Sequence, residues 1–321
     1  MAVSEFDLIR QYFANATGKR PDVLIGIGDD CALLQAPTGK SLAVSMDTLV
    51  EGRHFRPGAD PTSLGHKALA VNLSDLAAMG AEPAWVTLAL TLPQADTTWL
   101  RAFVDGFAAL ASEYGMQLVG GDTTRGPLSI TVQVHGFVDP GLALKRGNAR
   151  AGDRLFLSGC VGDAGLALQR SRDLVASSAE DAYLQRRLDR PTPRVALGQL
   201  VLGRANAAID VSDGLIADLG HICSASGVGA RVELERLPVS APVGAECARG
   251  NWQYALAGGD DYELLFSIEE SQLDAMQFAC REAGQQIQEI GCLVDNSGIV
   301  LVYPDGRLSE EIPDGFDHFR T

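Results

Sequence analysis

The chain is poor in basic residues, in paired cysteines and in long apolar runs, and each shortage excludes a class of function. Lys and Arg number 26 against 41 Asp and Glu, a formal charge of -15. That balance argues against a nucleic-acid or anionic-membrane surface, because both are polyanions. A small phosphorylated ligand stays open, since cations reverse the local field. The six cysteines, Cys31, Cys160, Cys223, Cys247, Cys280 and Cys292, contain no C-x-x-C pair. Zinc-ribbon and dithiol chemistry therefore lack support, and scattered thiols read as reduced, in a cytoplasmic protein. No stretch approaches the roughly 20 apolar residues of a bilayer span. The opening MAVSEFDLIRQYF carries acids where a secretory leader has a basic region. His54, His66, His135, His221 and His318 show no H-E-x-x-H spacing, so a zinc hydrolase has no support either.

What is present is an ordinary globular composition, 46% hydrophobic and 21% charged over 321 residues, long enough for two domains. Periodicity predicts helices over 4–16, 61–79, 96–114, 163–170, 213–226 and 272–283, a polar helical hairpin near 179–188 and a helix entered at Pro193. Strands are predicted over 41–47, 84–92, 117–119, 129–138, 154–158, 207–211, 262–268, 287–293 and 298–302. The class is mixed α/β (α+β), with antiparallel pairing suggested in the first half. Hydrophobicity drops at RGNARAG (146–152), which places domains at 1–148 and 149–321. Two lookalike motifs fail on context. Thr38–Ser41 (TGKS) has Leu34 where a phosphate loop needs glycine, and it precedes a strand. Gly26-x-Gly28 lacks the third glycine of a dinucleotide fingerprint.

The aspartates are unusually placed. Asp29, Asp30, Asp47, Asp75, Asp122, Asp210 and Asp213 stand at strand ends or in apolar surroundings, where an unpaired carboxylate is costly. Divalent cations between them would make the arrangement tolerable, and hard oxygen donors without Cys or His suit magnesium. Ser45 and Asp47 lie two apart on a strand and so share a face, as do Asp210 and Ser212. Asn72 and Asp75 share a helix face. Local alternatives exist: Asp213 as a helix cap, and Asp29–Asp30 and Gly120–Asp122 as turn residues. Asp75, inside an apolar helix rather than at its end, is the hardest to explain in this way. GGDT (120–123) and GGDD (258–261) echo each other weakly between the halves.

GIGDDCAL (26–33), VSMDTLVEGRHF (44–55), KALAVNLSDLAAMGAEP (67–83), GGDTTRG (120–126), KRGNARAGD (145–153), IDVSDGL (209–215) and GGDDYELLF (258–266), in this order over nearly the whole chain, resemble the thiamine-monophosphate kinase family. The resemblance implies a two-domain synthetase-like fold. Its N-terminal α/β domain dimerises through its strands, and a C-terminal α/β domain completes a cleft for ATP. It implies transfer of phosphate from ATP to thiamine monophosphate, with several magnesium ions. By motif position it implies Asp30, Ser45, the Met46 backbone, Asp47, Asp75, Asp122, Asp210 and Asp213 as metal ligands. It implies Gly121, Asp122, Arg146 and Ser212 as ATP contacts, and His54, Asp260 and Phe316 as substrate contacts. No residue is assigned as general base. The alternatives are an ATP-dependent ligase of the same superfamily and a non-catalytic acidic metal-binding protein.

Overall fold

The computed structural model describes residues 5–170, 178–313 and 315. Contacts divide the chain into one unit of Met1–Leu76 with Ala81–Gly141, and a second of Ala77–Gly80 with Leu142–Thr321. This division falls upstream of the 148/149 boundary read from composition. Both units mix helices with strands, in agreement with the mixed α/β class.

The first unit opens with α1 (Glu5–Leu8), which runs into a π-helical turn at Ile9–Phe13, so the helix expected over 4–16 is short and changes pitch. β1 (Val23–Ile25) and β2 (Leu33–Leu34) pair with each other. β3 (Ser41–Val50), β4 (Glu82–Leu92), β5 (Gln117–Arg125) and β6 (Ser129–Val138) form a four-stranded sheet in the order β3-β6-β4-β5. β3 and β5 are its two edges. Only β4 and β5 run parallel, and they are joined by α3 (Thr97–Glu113), as a parallel crossover requires. Asp96 caps α3 by accepting from Thr98 and Trp99 N–H, and Gly115, at φ 61, follows its end. α2 (Pro61–Ala78) approaches α3 closely through glycine. A Cβ on Gly65 would sit 2.0 Å from the Phe103 carbonyl, and one on Gly106 would sit 1.9 Å from that of Thr62. On β6, Ile130, Val132 and Val134 are buried while Ser129, Thr131, Gln133 and His135 are half-buried, the alternation of a sheet packed on one face.

The second unit contains β7 (Arg154–Leu157), α4 (Asp163–Arg170), α5 (Ala179–Asp189), α6 (Val195–Val201), β8 (Ala205–Val211), α7 (Leu215–Ser226), β9 (Gly229–Glu233), α8 (Ala241–Ala248), α9 (Gln253–Ala257), β10 (Glu263–Ile268), α10 (Leu273–Glu282), β11 (Gln288–Val294), β12 (Ile299–Val302) and β13 (Leu308–Ser309). Its seven-stranded sheet has the order β13-β12-β9-β11-β7-β10-β8, antiparallel except where β12 meets β9. β10 is buried along its whole length. Leu265 packs into one apolar cluster, while Leu264, Phe266 and Ile268 pack into another, so both faces are covered. Each such side chain contributes roughly 1.5–3 kcal/mol.

Three local expectations are corrected. The segment near 179–188 is one helix, α5, and it packs on α4. Pro193 precedes Arg194, the N-cap of α6, rather than opening the helix. Gly120–Asp122 is not a turn but lies inside β5. Among the described residues no helix is long and apolar enough to cross a membrane.

Candidate functional site

In the first unit, α2 and β3 bring three of the candidate ligands together. Ser45 and Asp47 are half-buried on β3, and Met46 between them points the other way with 60% of its surface exposed. Asp75, half-buried on α2, accepts the Ser45 hydroxyl at 2.5 Å. Asn72, one turn earlier and fully buried, accepts the Asp47 N–H at 3.1 Å. His54 sits in the tight turn after β3. Its Nδ1 accepts the Val50 N–H at 2.9 Å, while the backbone N–H of His54 donates to the Val50 carbonyl at 3.0 Å. With Nδ1 occupied as an acceptor, the neutral ring carries its proton on Nε2.

Other candidates lie apart from this group. Asp30 is exposed between β1 and β2, its N–H donating to Asp29 Oδ1 at 2.8 Å. Asp122 is exposed on β5, at the opposite edge of the sheet from Asp47. Three strand spacings separate those edges, about 14 Å. The register runs Thr48–Thr131–Ala89–Asp122 across the sheet, so Asp122 shares the outward row of Thr48, not the inward side of Asp47. Gly121, at φ 151, has no room for a side chain: a Cβ would meet the Leu88 carbonyl at 1.8 Å. Glycine is required there.

The second unit gathers its candidates where β8 gives way to α7. Asp210 is buried on β8, an edge strand. Ser212 and Asp213 follow, half-buried. Asp213 stands one residue before the N-cap position of α7. The N-cap is Gly214, without a side-chain cap. Instead Asp218, buried in the first turn of α7, accepts the N–H groups of Ser212 and Asp213 at 3.0 and 3.1 Å. Burial pushes the Asp218 carboxyl up to about 7 and the charge of Asp213 adds to this, while the two N–H donors and Arg146 pull it back. Arg146 is exposed in a turn tied to the end of α7, its carbonyl accepting from Ser226 Oγ at 2.8 Å. The Gly258–Asp261 loop is stitched to the same strand end. Asp260 N–H donates to the Ser212 carbonyl and Tyr262 N–H to that of Val211, each at 2.8 Å. Asp260 and Tyr262 both hold positive φ, 66 and 51, and the Tyr262 hydroxyl donates to Asp260 Oδ1 at 3.1 Å. Phe316 lies outside the described residues.

Beneath that loop is a buried ionic lattice that sequence reasoning missed. Asp163, Asp261 and Glu263 are all within 2% of complete burial. Glu263 accepts from Arg194 through both oxygens, at 2.6 Å each, and from Arg187 at 2.8 Å. It also accepts the Ser158 hydroxyl at 2.5 Å. Asp163 accepts from Arg187, Tyr183 and Ser240. Asp261 accepts the Gly162 N–H at 2.7 Å and the Ala164 N–H at 3.5 Å, at the start of α4. Complete burial holds the Asp261 carboxyl well above the usual range, against the pull of Gly162 N–H and Arg187. Burial opposes the Arg187 charge, yet Glu263, Asp261 and Asp163 hold its proton more firmly than usual. Asp260 and Asp261 thus differ: the second is spent inside the protein.

Among the described residues no three His, Cys, Asp or Glu side chains gather within joint reach of one ion. The donors are oxygens in twos and threes, Ser45 with Asp75 and Asp47, and Asp210 with Ser212 and Asp213. This set fits magnesium, which takes one or two carboxylates per ion and completes its shell with water and substrate phosphates.

The AIR synthase related protein N-terminal domain family matches residues 28–138 and its C-terminal counterpart matches 150–304. Fold and site thus define a two-domain protein of the AIR synthase related class. The chain is 50% identical to thiamine-monophosphate kinase of Salmonella typhimurium, over all of both chains. It is similar to the crystal structure of thiamine-monophosphate kinase from Stenotrophomonas maltophilia, with 46% identity, a TM-score of 0.86, and 95% of this chain and 98% of that one covered. It is also similar to AaThiL complexed with AMPPCP and TMP, with 31% identity, a TM-score of 0.77, and 99% and 97% covered. The chain belongs to the thiamine-monophosphate kinase family.

Proposed function

We propose that the chain transfers the γ-phosphoryl group of ATP to the phosphate of thiamine monophosphate, giving ADP and thiamine diphosphate. The observation that carries this reading is likeness along the entire chain to thiamine-monophosphate kinases, one of them solved with AMPPCP and TMP. A phosphate monoester has a second pKa of about 6 and is largely ionised at neutral pH. The acceptor oxygen therefore attacks in line without a general base: one P–O bond forms as the bond to ADP breaks. The barrier is repulsion between two anions. Magnesium, when bound, neutralises that charge and aligns the phosphate oxygens.

We assign Asp30, Ser45, the Met46 backbone, Asp47, Asp75, Asp122, Asp210 and Asp213 as the groups that would hold the metal ions. Gly121, Asp122, Arg146 and Ser212 bind ATP in this reading, with Arg146 as a fixed positive charge. His54, Asp260 and Phe316 bind the thiamine substrate. Asp260 is held in a left-handed backbone by its bonds to Ser212 and Tyr262. The thiazolium cation suits Asp260, and an aromatic ring suits stacking on Phe316.

The working form in this reading is a cytoplasmic homodimer. Six free cysteines support the compartment. The outward sheet face supports the dimer: Leu42, Val44 and Met46 are 45%, 51% and 60% exposed along β3, an apolar row that a second copy would cover. The opposite-edge positions of Asp47 and Asp122 give a second copy a further use, because one chain alone keeps them apart.

ADP release should require both magnesium and thiamine monophosphate. A panel of acceptors including a purine-precursor amide would expose the superfamily ligase reading. Magnesium binding without turnover on any acceptor would favour the non-catalytic reading.

A further inference from the structure

Ser45 and Asp47 lie on β3 while Asp75 lies on α2, so any shared task needs strand and helix in register. Asn72 stands at that junction. It is completely buried, and its Nδ2 donates to the Ala68 carbonyl one turn earlier at 3.0 Å. With Nδ2 committed to a carbonyl, Oδ1 must face the other way, where it accepts the Asp47 N–H at 3.1 Å. β3 is an edge strand. In an antiparallel pair every second residue of such a strand turns its backbone groups to the open side, where nothing in the sheet holds them. Asn72 supplies the missing acceptor at one of those positions. Three residues on, Asp75 takes the Ser45 hydroxyl. The two bonds therefore tie strand and helix at two successive points.

We propose that Asn72 is a positioning residue for the phosphoryl-transfer site: a neutral latch that sets Asp47 and Ser45 against Asp75. This rests on the function proposed above. The chemistry favours an amide. A carboxylate at this position would add a third anion beside Asp47 and Asp75. A lysine or arginine would pair with those carboxylates and compete with the cation they await. A buried amide provides the acceptor with no charge, and its second group fixes which way it faces.

The test uses full-length protein carrying Asn72→Leu, which keeps the volume and removes both bonds, with Asn72→Ala beside it. In metal-free wild type the Asp47 amide should exchange slowly with solvent deuterium. In Asn72→Leu it should exchange at least about tenfold faster, while the Val132 amide on β6 keeps its rate. The magnesium concentration for half-maximal ADP release should rise at least about tenfold, with the KM for thiamine monophosphate within about twofold. A purely structural asparagine would leave the magnesium requirement where it was or would move all constants together. Unchanged Asp47 exchange in Asn72→Leu would overturn the latch. So would faster exchange with a magnesium requirement within twofold of wild type. If both variants fail to fold, wild type decides: Asp47 exchange as slow as that of Val132 upholds the latch, and exchange at the rate of an open strand edge overturns it. Wild type without acceptor-dependent ADP release would sink the kinase reading instead, and the exchange rates would still judge the latch.

Discussion

In the first unit the candidate carboxylates stand on strand edges and one helix face, with a neutral buried amide, Asn72, behind them. In the second they stand in front of a buried lattice of three carboxylates and two arginines. The two Gly-Gly-Asp motifs follow the same contrast. Gly120–Asp122 is part of β5, held by a ladder to β4. The second motif opens a loop over Gly258–Tyr262, left-handed at Asp260 and Tyr262 and anchored from below by Asp261. A strand is kept straight by its neighbours and needs no charged support. A loop holding two non-glycine residues at positive φ costs of order 1–3 kcal/mol for each, so its surroundings must over-determine it.

That contrast can be broken most forcefully at Glu263. Replacing the buried partner leaves two partly buried arginines short of their counter-charge, so Glu263→Gln should lower the unfolding free energy by about 3 kcal/mol, read from denaturant melting. A loss below about 1 kcal/mol would mean that the lattice does not carry the loop. Asp75→Asn addresses the first unit, where stability should not depend on the carboxylate. Turnover should fall at least about 100-fold, equivalent to about 2.7 kcal/mol, with the melting temperature nearly unchanged. Activity near wild type at saturating magnesium would remove Asp75 from the site. Asp218→Asn keeps shape and one acceptor while removing the charge that holds two N–H groups. We expect about a tenfold loss in kcat, close to 1.4 kcal/mol; an equal loss from Asp218→Ala and none from Asp218→Asn would show that the shape alone matters.

The smallest effect is a pH effect on the Arg20–Asp22 pair of the first unit. Hydrogen bonds from Arg20 and Trp85 hold the Asp22 carboxyl below its ordinary value, against some burial. Its stabilisation is therefore complete above about pH 4 and disappears as pH falls through the lower folded value. Asp22→Asn should flatten that acid limb of the stability curve, and an unchanged limb would assign it to other groups.

Long periodic elements were legible in the sequence: α2, α3, α7, α10 and the alternation of β6 emerge within a few residues of their predicted spans. Four short strands, β1, β2, β9 and β13, went unread because their few residues carry little alternation, while β7 and β12, equally short, were found. β5 was read as ending before Gly120 because paired glycines ordinarily mark turns; the ladder to β4 overrides that preference. At the site, Asp75 was visible as a carboxylate inside an apolar helix. Asp218, set among Leu215, Ile216 and Leu219, carries the same signal and could have been found by it. Asp163, Asp261 and Glu263 could not, because only the fold reveals that Arg187 and Arg194 reach them from elsewhere in the chain.

The central claim is that this chain passes a phosphoryl group from ATP directly to the phosphate of thiamine monophosphate. Phosphorus-31 NMR of ATP, thiamine monophosphate, magnesium and the protein tests it most directly. The account predicts thiamine diphosphate and ADP appearing in equal amounts, with no free phosphate. Inorganic phosphate accumulating with ADP, or thiamine monophosphate persisting unchanged, would contradict it.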